Sequence, residues 1–309
     1  MVEEYLKKCK QKDWYTPIIC KLRCNLLAKI YLTIQKLLVV VEWVAFHFTI
    51  NVSLLIIFVN IIILIYYLFQ NTAYDYFTIL NSCDLDNYNG AGVKIAVLDS
   101  GLEEFNSLGL ADTQILNFTS SNTIYDKNGH GTMMINIISN KNVGISPAAE
   151  VFSLKILNQD CKGNYLDTIK AIQWCMDNNI DIINLSIATA IDYPQLSEII
   201  GKASKNGIII ISSLSNSFSK NNYPADYDNV IGIYTDYNMY QEKYYRVFCP
   251  FNEFYTKNKV EGCIGNSPAT AYCSGIAARL IEKYTNNNIK YNNEMVFYEL
   301  KKILERGTK

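Results

Sequence analysis

The sequence has almost no excess of charge of either sign, and this absence excludes one broad class of function. Its 28 Lys and Arg residues nearly balance its 29 Asp and Glu residues, which gives a formal net charge of −1. Such a chain has no global basic field that would attract nucleic acid or acidic lipid. We therefore expect no nucleic-acid partner.

The cysteines lack the spacing of a metal site. The nine cysteines show neither a C-x-x-C pair nor zinc-finger spacing, and an odd number cannot pair completely within one chain. Free cysteines are among the residues most often found inside proteins. We expect reduced and mostly buried thiols.

Charge is absent altogether between Glu42 and Asp75. Within this stretch, residues 52–69 are apolar apart from Ser53 and Asn60, and at 1.5 Å per residue they extend over roughly 27 Å of hydrocarbon. The alternative is a buried core helix, but such a helix normally carries a polar stripe that this segment lacks. The pattern predicts a transmembrane helix at about 52–69.

The flanks of this segment predict an orientation. The first 36 residues hold eight basic and three acidic residues, whereas the other flank has no Lys or Arg before Lys94. The positive-inside bias then gives a single-pass protein with its N-terminus in the cytoplasm and its C-terminal part extracytoplasmic. In the alternative, residues 37–69 form a helical hairpin despite Glu42, and the C-terminal part stays in the cytoplasm, a reducing side that would suit its cysteines.

The C-terminal part shows a different pattern, in which short apolar runs alternate with helical stretches. The runs lie at 93–99, 150–157, 180–187, 207–214 and 229–235. Strands without polar alternation are covered on both faces, and the intervening helices supply the cover. This predicts an α/β fold, a doubly wound parallel sheet with helices on both faces. The predicted segments are a basic N-terminal segment at 1–36, a membrane anchor at 37–70, a linker at 71–83 and this domain at 84–309.

Three motifs in the domain contain side chains, an Asp, a His and a Ser, that can together catalyse hydrolysis. Asp99 ends the first predicted strand, where open α/β sheets build their sites. His130, one of only two histidines, lies between two glycines at the start of a helix. Ser267 precedes a proline, which places its hydroxyl at a helix N-terminus that favours developing negative charge. Each residue alone has an ordinary explanation as a turn, a structural histidine or an N-cap, but Asp, His, Ser is one of the orders found in Ser-His-Asp hydrolases.

In this order the motifs resemble those of the subtilisin-like (S8) serine peptidases over about residues 90–300. The family patterns D-[ST]-G, H-G-T and G-T-S-M-A-T-P-H read here as DSG at 99–101, HGT at 130–132 and GNSPAT at 265–270. The resemblance implies a subtilisin-like fold with Asp99, His130 and Ser267 as the catalytic triad. It also implies that Asn216, at the end of GIIIISSLSN, donates its side-chain amide to the oxyanion.

The resemblance extends to a peptide-binding cleft. The segment INLSIAT is similar to the family's N-[LM]-S-L-G-G strand, which would pair with an extended peptide opposite a second edge. The substrate-binding residues implied are Ser186, Ile187, Ala188, Cys161, Lys162, Gly163 and Ser215. Ala188 and Thr189 replace the usual glycines, so we expect a narrower substrate range than that of a digestive subtilisin. Tyr223-Pro224 matches the family's G-Y-P segment and suggests a cis peptide bond.

Some positions depart from the family pattern. Met133 stands where a His often follows Gly-Thr, and Ala271 and Tyr272 replace Pro-His after the nucleophile. These are packing positions, which leave the chemistry untouched. The loop after the His helix, ISNKNVGISPAAE, looks shorter than the loop that holds a tight calcium ion in many secreted subtilisins. We therefore expect no cofactor and no calcium dependence.

The sequence thus favours a membrane-anchored serine endopeptidase whose partners are an extended peptide or protein substrate and the lipid bilayer. The main alternative is a catalytically silent, protease-like module that binds peptides without cutting them. In a third interpretation the membrane segment carries the main function, and the domain serves as a structural partner in a complex. Asn60 is the sole strongly polar residue inside the predicted helix, too little for a transport path.

Overall fold

We describe the protein from a computed structural model. It describes residues 85–104, 113–217, 219–235, 246–249, 253–254 and 263–306, together with Asn60. Apart from Asn60, the predicted N-terminal segment, membrane anchor and linker lie outside these residues, so the helix predicted at 52–69 stays a prediction. Among the described residues, no helix is both long and apolar enough to cross a membrane.

Within the described residues, seven parallel strands form one sheet. The strands are β1 (Lys94–Asp99), β2 (Gln114–Asn117), β3 (Glu150–Lys155), β4 (Ile182–Leu185), β5 (Ile209–Ser213), β6 (Val230–Tyr234) and β7 (Arg246–Phe248). Their order is β2-β3-β1-β4-β5-β6-β7, and every neighbouring pair is parallel. The chain builds β2 and β3 on one side of β1 and then crosses to β4 on the other side. Such a reversal marks the edge where open α/β sheets bind their ligands.

Helices cover both faces of the sheet. They are α1 (His130–Ser139), α2 (Tyr165–Asp177), α3 (Pro194–Lys205), α4 (Asn266–Asn286) and α5 (Asn293–Arg306), and a short antiparallel pair is formed by β8 (Glu253–Phe254) and β9 (Cys263–Ile264). The strands contribute side chains to two hydrophobic cores, one on each face of the sheet. In β1, Ile95 and Val97 pack in the core formed with α1, α4 and α5. Ala96 and Leu98 pack in the core formed with α2 and α3. Successive side chains point to opposite faces, which is why these strands lack polar alternation. The predicted doubly wound α/β sheet is confirmed.

Helix α4 is the most buried helix of the described domain, and segments from elsewhere in the chain pack against it and bond to it. A Cβ on Gly275 would lie 2.5 Å from the Ile145 Cβ, so only glycine permits this packing distance. At its other end, the Glu282 carboxylate accepts hydrogen bonds from the backbone N–H groups of Asn89, Gly90 and Ala91 at 2.7, 2.7 and 3.2 Å. The segment that leads into β1 is thereby tied to the helix that carries Ser267.

Candidate active site

Asp99 and His130 meet at the carboxyl end of β1. The Nδ1 atom of His130 lies 2.8 Å from Asp99 Oδ1 and 2.9 Å from Oδ2. Asp99 is 1% exposed, and its Oδ1 also accepts the Ser100 N–H. With Nδ1 held by a carboxylate, the neutral imidazole carries its proton on Nδ1 and presents Nε2 as a base. The pair therefore has the arrangement of a general base and its orienting group.

Glycines permit the close approach of these two segments. Gly129 caps α1 with a φ of 93°, in the left-handed region that favours glycine. A Cβ on Gly131 would lie 2.5 Å from the Gly101 carbonyl oxygen and 3.2 Å from Asp99 Cβ. Glycine at 131 is therefore required for α1 to begin directly over the end of β1.

Charge around the histidine favours its protonated form. Burial alone would lower the pKa of His130, but the charge and hydrogen bond of Asp99 and the charge of Asp126 raise the pKa above its ordinary value of 6.5. Asp126 is itself held by hydrogen bonds from the Gly129 N–H and from the N–H and hydroxyl of Thr132. Burial would raise the pKa of Asp126, yet these hydrogen bonds lower it. Protonated His130 is thus favoured by two carboxylates, Asp99 and Asp126.

Lys155 is a fully buried lysine at the end of β3, next to β1. Its ammonium group donates to the Ser100 carbonyl oxygen. Burial lowers its pKa, while the charges of Asp126 and Asp99 act in the opposite direction. Lys155 was not among the site residues predicted from the sequence. The signal available was a lysine within the predicted strand at 150–157, a position at which an unpaired charge would be costly.

Ser267 lies in the first turn of α4. The helix begins at Asn266 after Gly265, and the first N–H groups of a helix have no partners within it. Ser267 is 9% exposed, and its carbonyl oxygen lies 3.5 Å from the Ser186 hydroxyl. Ser186 in turn lines the cleft that also contains His130. The sheet and α4 thus bring Ser267 next to this cleft.

Asn216 is held by the start of the same helix. Its Oδ1 accepts a hydrogen bond from the Asn266 N–H at 2.8 Å, which leaves the Nδ2 group as a donor. Gly265 makes room for it, since a Cβ at that position would lie 2.6 Å from Asn216 Oδ1. Asn216 is exposed, so its side chain is accessible to a ligand. An oriented amide beside a helix N-terminus is suited to binding an oxyanion.

A cleft of about 330 Å³ adjoins His130. Of the predicted substrate-binding residues, the structure places five along this cleft: Ser186, Ile187, Ala188, Cys161 and Gly163. Lys162 and Ser215 do not line it. The N–H of Lys162 donates to Asn158 Oδ1 in an exposed turn, and the N–H of Ser215 donates to Asn222 Oδ1.

Three tyrosines that were not predicted to lie in the cleft also line it. They are Tyr165, Tyr193 and Tyr223. The rings of Tyr165 and Tyr193 stack with centroids 4.2 Å apart and an angle of 8° between their planes. The Tyr223-Pro224 peptide bond is cis, as its sequence suggested. The cleft therefore has an aromatic wall, which is suited to contact with apolar groups.

Cys161 is the one cysteine among the residues that line the cleft. Burial, followed by the charges of Asp99 and Asp126, raises its pKa to about 11. A thiol acts as a nucleophile only as the thiolate, so this group is inert near neutral pH. Among the described residues, no group of three or more His, Cys, Asp or Glu side chains could hold a metal ion.

The groups at this edge of the sheet are those with which serine hydrolases carry out acyl transfer, and this defines the class of protein. A model of the subtilase family matches residues 90–307. The chain belongs to the subtilase family.

Individual relatives agree with this assignment. The chain is 29% identical to the thermostable alkaline protease of Halalkalibacterium halodurans over 221 residues, which cover 65% of this chain and 61% of that protein. It is 26% identical to subtilisin DY of Bacillus licheniformis over 219 residues, which cover 64% and 79%. It spans only 23% of the minor extracellular protease Epr of Bacillus subtilis, at 33% identity over 152 residues that cover 47% of this chain.

The fold has a counterpart among solved structures. A cold-adapted subtilisin-like serine proteinase superposes with a TM-score of 0.60 and 18% sequence identity. The superposition covers 68% of this chain and 81% of that one. This likeness shows the subtilisin-like α/β fold.

Proposed function

We propose that this chain is a serine endopeptidase whose triad is Asp99, His130 and Ser267. The observation that carries the proposal is the hydrogen bonding of His130 Nδ1 to both oxygens of Asp99 at the mouth of a cleft. Family membership and the position of Ser267 at the start of α4 support it.

In the proposed mechanism, His130 Nε2 takes the hydroxyl proton of Ser267 while Ser267 attacks the peptide carbonyl. Asp99 keeps the imidazole in the required tautomer and stabilises the imidazolium. His130 then protonates the leaving amine, which departs and leaves an acyl-enzyme ester on Ser267. Water, deprotonated by His130, hydrolyses this ester and regenerates the serine.

The oxyanion of the tetrahedral intermediate is proposed to bind two donors. One is the Nδ2 group of Asn216, whose amide is oriented through its Oδ1. The other is the backbone N–H of Ser267, in the first turn of α4, where the helix dipole favours negative charge. Loss of one such donor costs about 10² to 10³ in turnover.

The substrate is proposed to be an extended peptide that pairs with Ser186, Ile187 and Ala188. The backbone of Thr189 does not take part, because its N–H and C=O are both paired with Tyr223 at 2.8 Å. Ala188 places a methyl group on the peptide-binding edge where the family pattern has glycine. We propose a narrow substrate range on this basis, and unbiased cleavage of a peptide library would contradict it.

We further propose that the domain is attached to a membrane by the apolar segment at 52–69, with the N-terminus cytoplasmic. The support is the uncharged stretch and the basic flank before it. Accessibility of the domain to added protease in intact cells tests the orientation. Resistance in intact cells together with digestion after permeabilisation would favour the hairpin arrangement instead.

Labelling with a serine-directed fluorophosphonate tests the activity. The wild-type protein should be labelled, and Ser267→Ala should abolish the label. Ser146→Ala is the matched control, because Ser146 is a buried serine that donates to the Gly275 carbonyl on the same helix, remote from the oxyanion site. A folded wild-type protein without label would instead support a silent peptide-binding module.

A further inference from the structure

The side chain of Asn266, the residue before the proposed nucleophile, is buried and fully hydrogen-bonded. It is 3% exposed. Its Nδ2 donates to the carbonyl oxygens of Leu214 at 3.1 Å and Ser215 at 3.0 Å. Its Oδ1 accepts from the backbone N–H and the hydroxyl of Thr235, both at 2.9 Å. A primary amide has two N–H donors and two acceptor positions, so all four are occupied.

The partners of Asn266 converge on the oxyanion donor. Leu214 and Ser215 directly precede Asn216 in the chain, and the backbone N–H of Asn266 holds Asn216 Oδ1 at 2.8 Å. Asn266 thus restrains Asn216 twice, through its backbone and through its side-chain amide. Thr235, which follows β6, anchors the opposite end of the Asn266 amide to the sheet.

We propose that Asn266 is a positioning residue that sets the distance between the two oxyanion donors, Asn216 Nδ2 and the Ser267 N–H. This inference rests on the proposed function and deepens it. Asn266 does not itself donate to the oxyanion, because both hydrogens of its Nδ2 group are directed at Leu214 and Ser215. It acts through Asn216.

The need for such a residue follows from the exposure of Asn216. Water can compete for an exposed amide and allow it to rotate, whereas an oxyanion site is effective only when its donors are oriented before the charge develops. A misplacement of about 1 Å in a catalytic arrangement can cost on the order of 10² in rate. The family pattern has Thr at this position, and its single hydroxyl cannot replace the two donors and two acceptor positions of the amide.

A double-mutant cycle in Asn216 and Asn266 tests the proposal. The readouts are kcat and KM on a chromogenic peptide selected from a library with the wild-type enzyme. Asn266→Ala should lower kcat about tenfold or more with KM nearly unchanged, because the oxyanion forms only in the transition state. In the Asn216→Ala background the same change should have almost no further effect on kcat. An equal loss in both backgrounds, or no loss in either, overturns the positioning role.

Two further variants separate positioning from stability. Ser146→Ala removes one buried hydrogen bond to α4 away from Asn216, and it should lower stability while kcat stays at the wild-type value. Should Asn266→Ala fail to fold, Thr235→Val removes only the hydroxyl bond to Asn266 Oδ1. We expect it to lower kcat two- to fivefold, and to do so only when Asn216 is present. Loss of kcat in Thr235→Val that persists without Asn216 overturns the proposal.

The outcomes distinguish this inference from the proposed function. A folded wild-type protein that neither hydrolyses peptides nor reacts at Ser267 with a fluorophosphonate overturns the function and the inference together. A wild-type enzyme with Ser267-dependent activity and an Asn266→Ala variant of unchanged kcat overturns only the inference. Asn266→Thr gives a further test. Its kcat should remain well below the wild-type value, because one hydroxyl cannot replace the four hydrogen bonds of the Asn266 amide, and a wild-type kcat in this variant would contradict the inference.

Discussion

Both carboxylate oxygens of Asp99 lie within hydrogen-bonding distance of His130 Nδ1, at 2.8 and 2.9 Å. Asp99 is held in turn by the Ser100 N–H and is almost fully buried. The carboxylate has little freedom to rotate away, so the imidazole is fixed in one tautomer and one orientation. The first prediction depends on this restraint.

Asp99→Asn should lower kcat by about 10⁴, because an amide nitrogen at this position would favour the wrong tautomer of His130. Asp181→Asn is the matched control. Asp181 accepts hydrogen bonds from the Lys94 N–H and the Tyr291 hydroxyl at the opposite end of the sheet, so its loss should affect stability and leave kcat unchanged. Steady-state kinetics on purified proteins measure both, and a kcat within tenfold of wild type in Asp99→Asn would contradict the triad.

The pH dependence of activity should report the charges around His130. The base must be neutral to act, and the pKa of His130 is raised above 6.5, so the acid limb of the kcat/KM profile should lie above that pH. The carboxylate of Asp126 favours the imidazolium. Asp126→Asn should therefore lower the pKa of His130 and move the acid limb to lower pH.

Thr132→Val is the control for this shift. It removes the hydroxyl bond to Asp126 but keeps the carboxylate charge, so the acid limb should remain near its wild-type position. An acid limb that stays at its wild-type position, or moves upward, in Asp126→Asn would show that the Asp126 carboxylate does not favour protonation of His130. The hydrogen-bonded Asp126 should also stabilise the fold, fully at pH values above its ordinary pKa of 3.8 and progressively less as the pH falls below it.

The sequence was sufficient to predict the parallel sheet, and the reasons are local. Runs such as Lys94–Asp99 are apolar on both faces because each face meets a helix layer. Glycines beside His130 and before Ser267 mark places where another backbone or side chain comes within contact distance of the missing Cβ. The apolar runs and the glycines can therefore be recognised in the sequence without knowledge of distant contacts.

The parts of the site that were missed depend on contacts between distant segments. Tyr165 and Tyr193 stack on one wall of the cleft because α2 and α3 pack together, and the residues around each tyrosine in the sequence do not indicate this contact. Lys162 was expected in the cleft, but Cys161 takes a left-handed φ of 53° and the turn at 158–162 closes on Asn158. Asn266 belongs to the GNSPAT motif at 265–270, yet its proposed role depends on contacts with Thr235 and Leu214, which lie far from it in the sequence.

Gly265 provides a third prediction. Its φ of 123° is unfavourable for other residues, and a Cβ would lie 2.6 Å from Asn216 Oδ1. Gly265→Ala should therefore displace the Asn216 amide and lower kcat by about 10² or more. Gly201→Ala is the control, because Gly201 lies within α3 with open space around the position of its Cβ. That change should stabilise the protein by about 0.4–1 kcal/mol without altering kcat. Equal kcat values for the two variants would contradict the proposed oxyanion site.

The final prediction concerns metal removal, and it follows from the segment between α1 and β3. Residues 140–149 contain no Asp or Glu, and the Asn140 side chain accepts the N–H groups of Asn142 and Val143. The segment is fixed further by hydrogen bonds from Ile145 and Ser146 to the end of α1. An amide side chain thus organises the turn from within, and Ca²⁺ prefers several carboxylate and carbonyl oxygens around it. Chelation with EDTA should leave the melting temperature unchanged, whereas Asn140→Ala should lower it with or without EDTA. A fall in melting temperature on EDTA treatment that added calcium reverses would show that the fold depends on a bound ion.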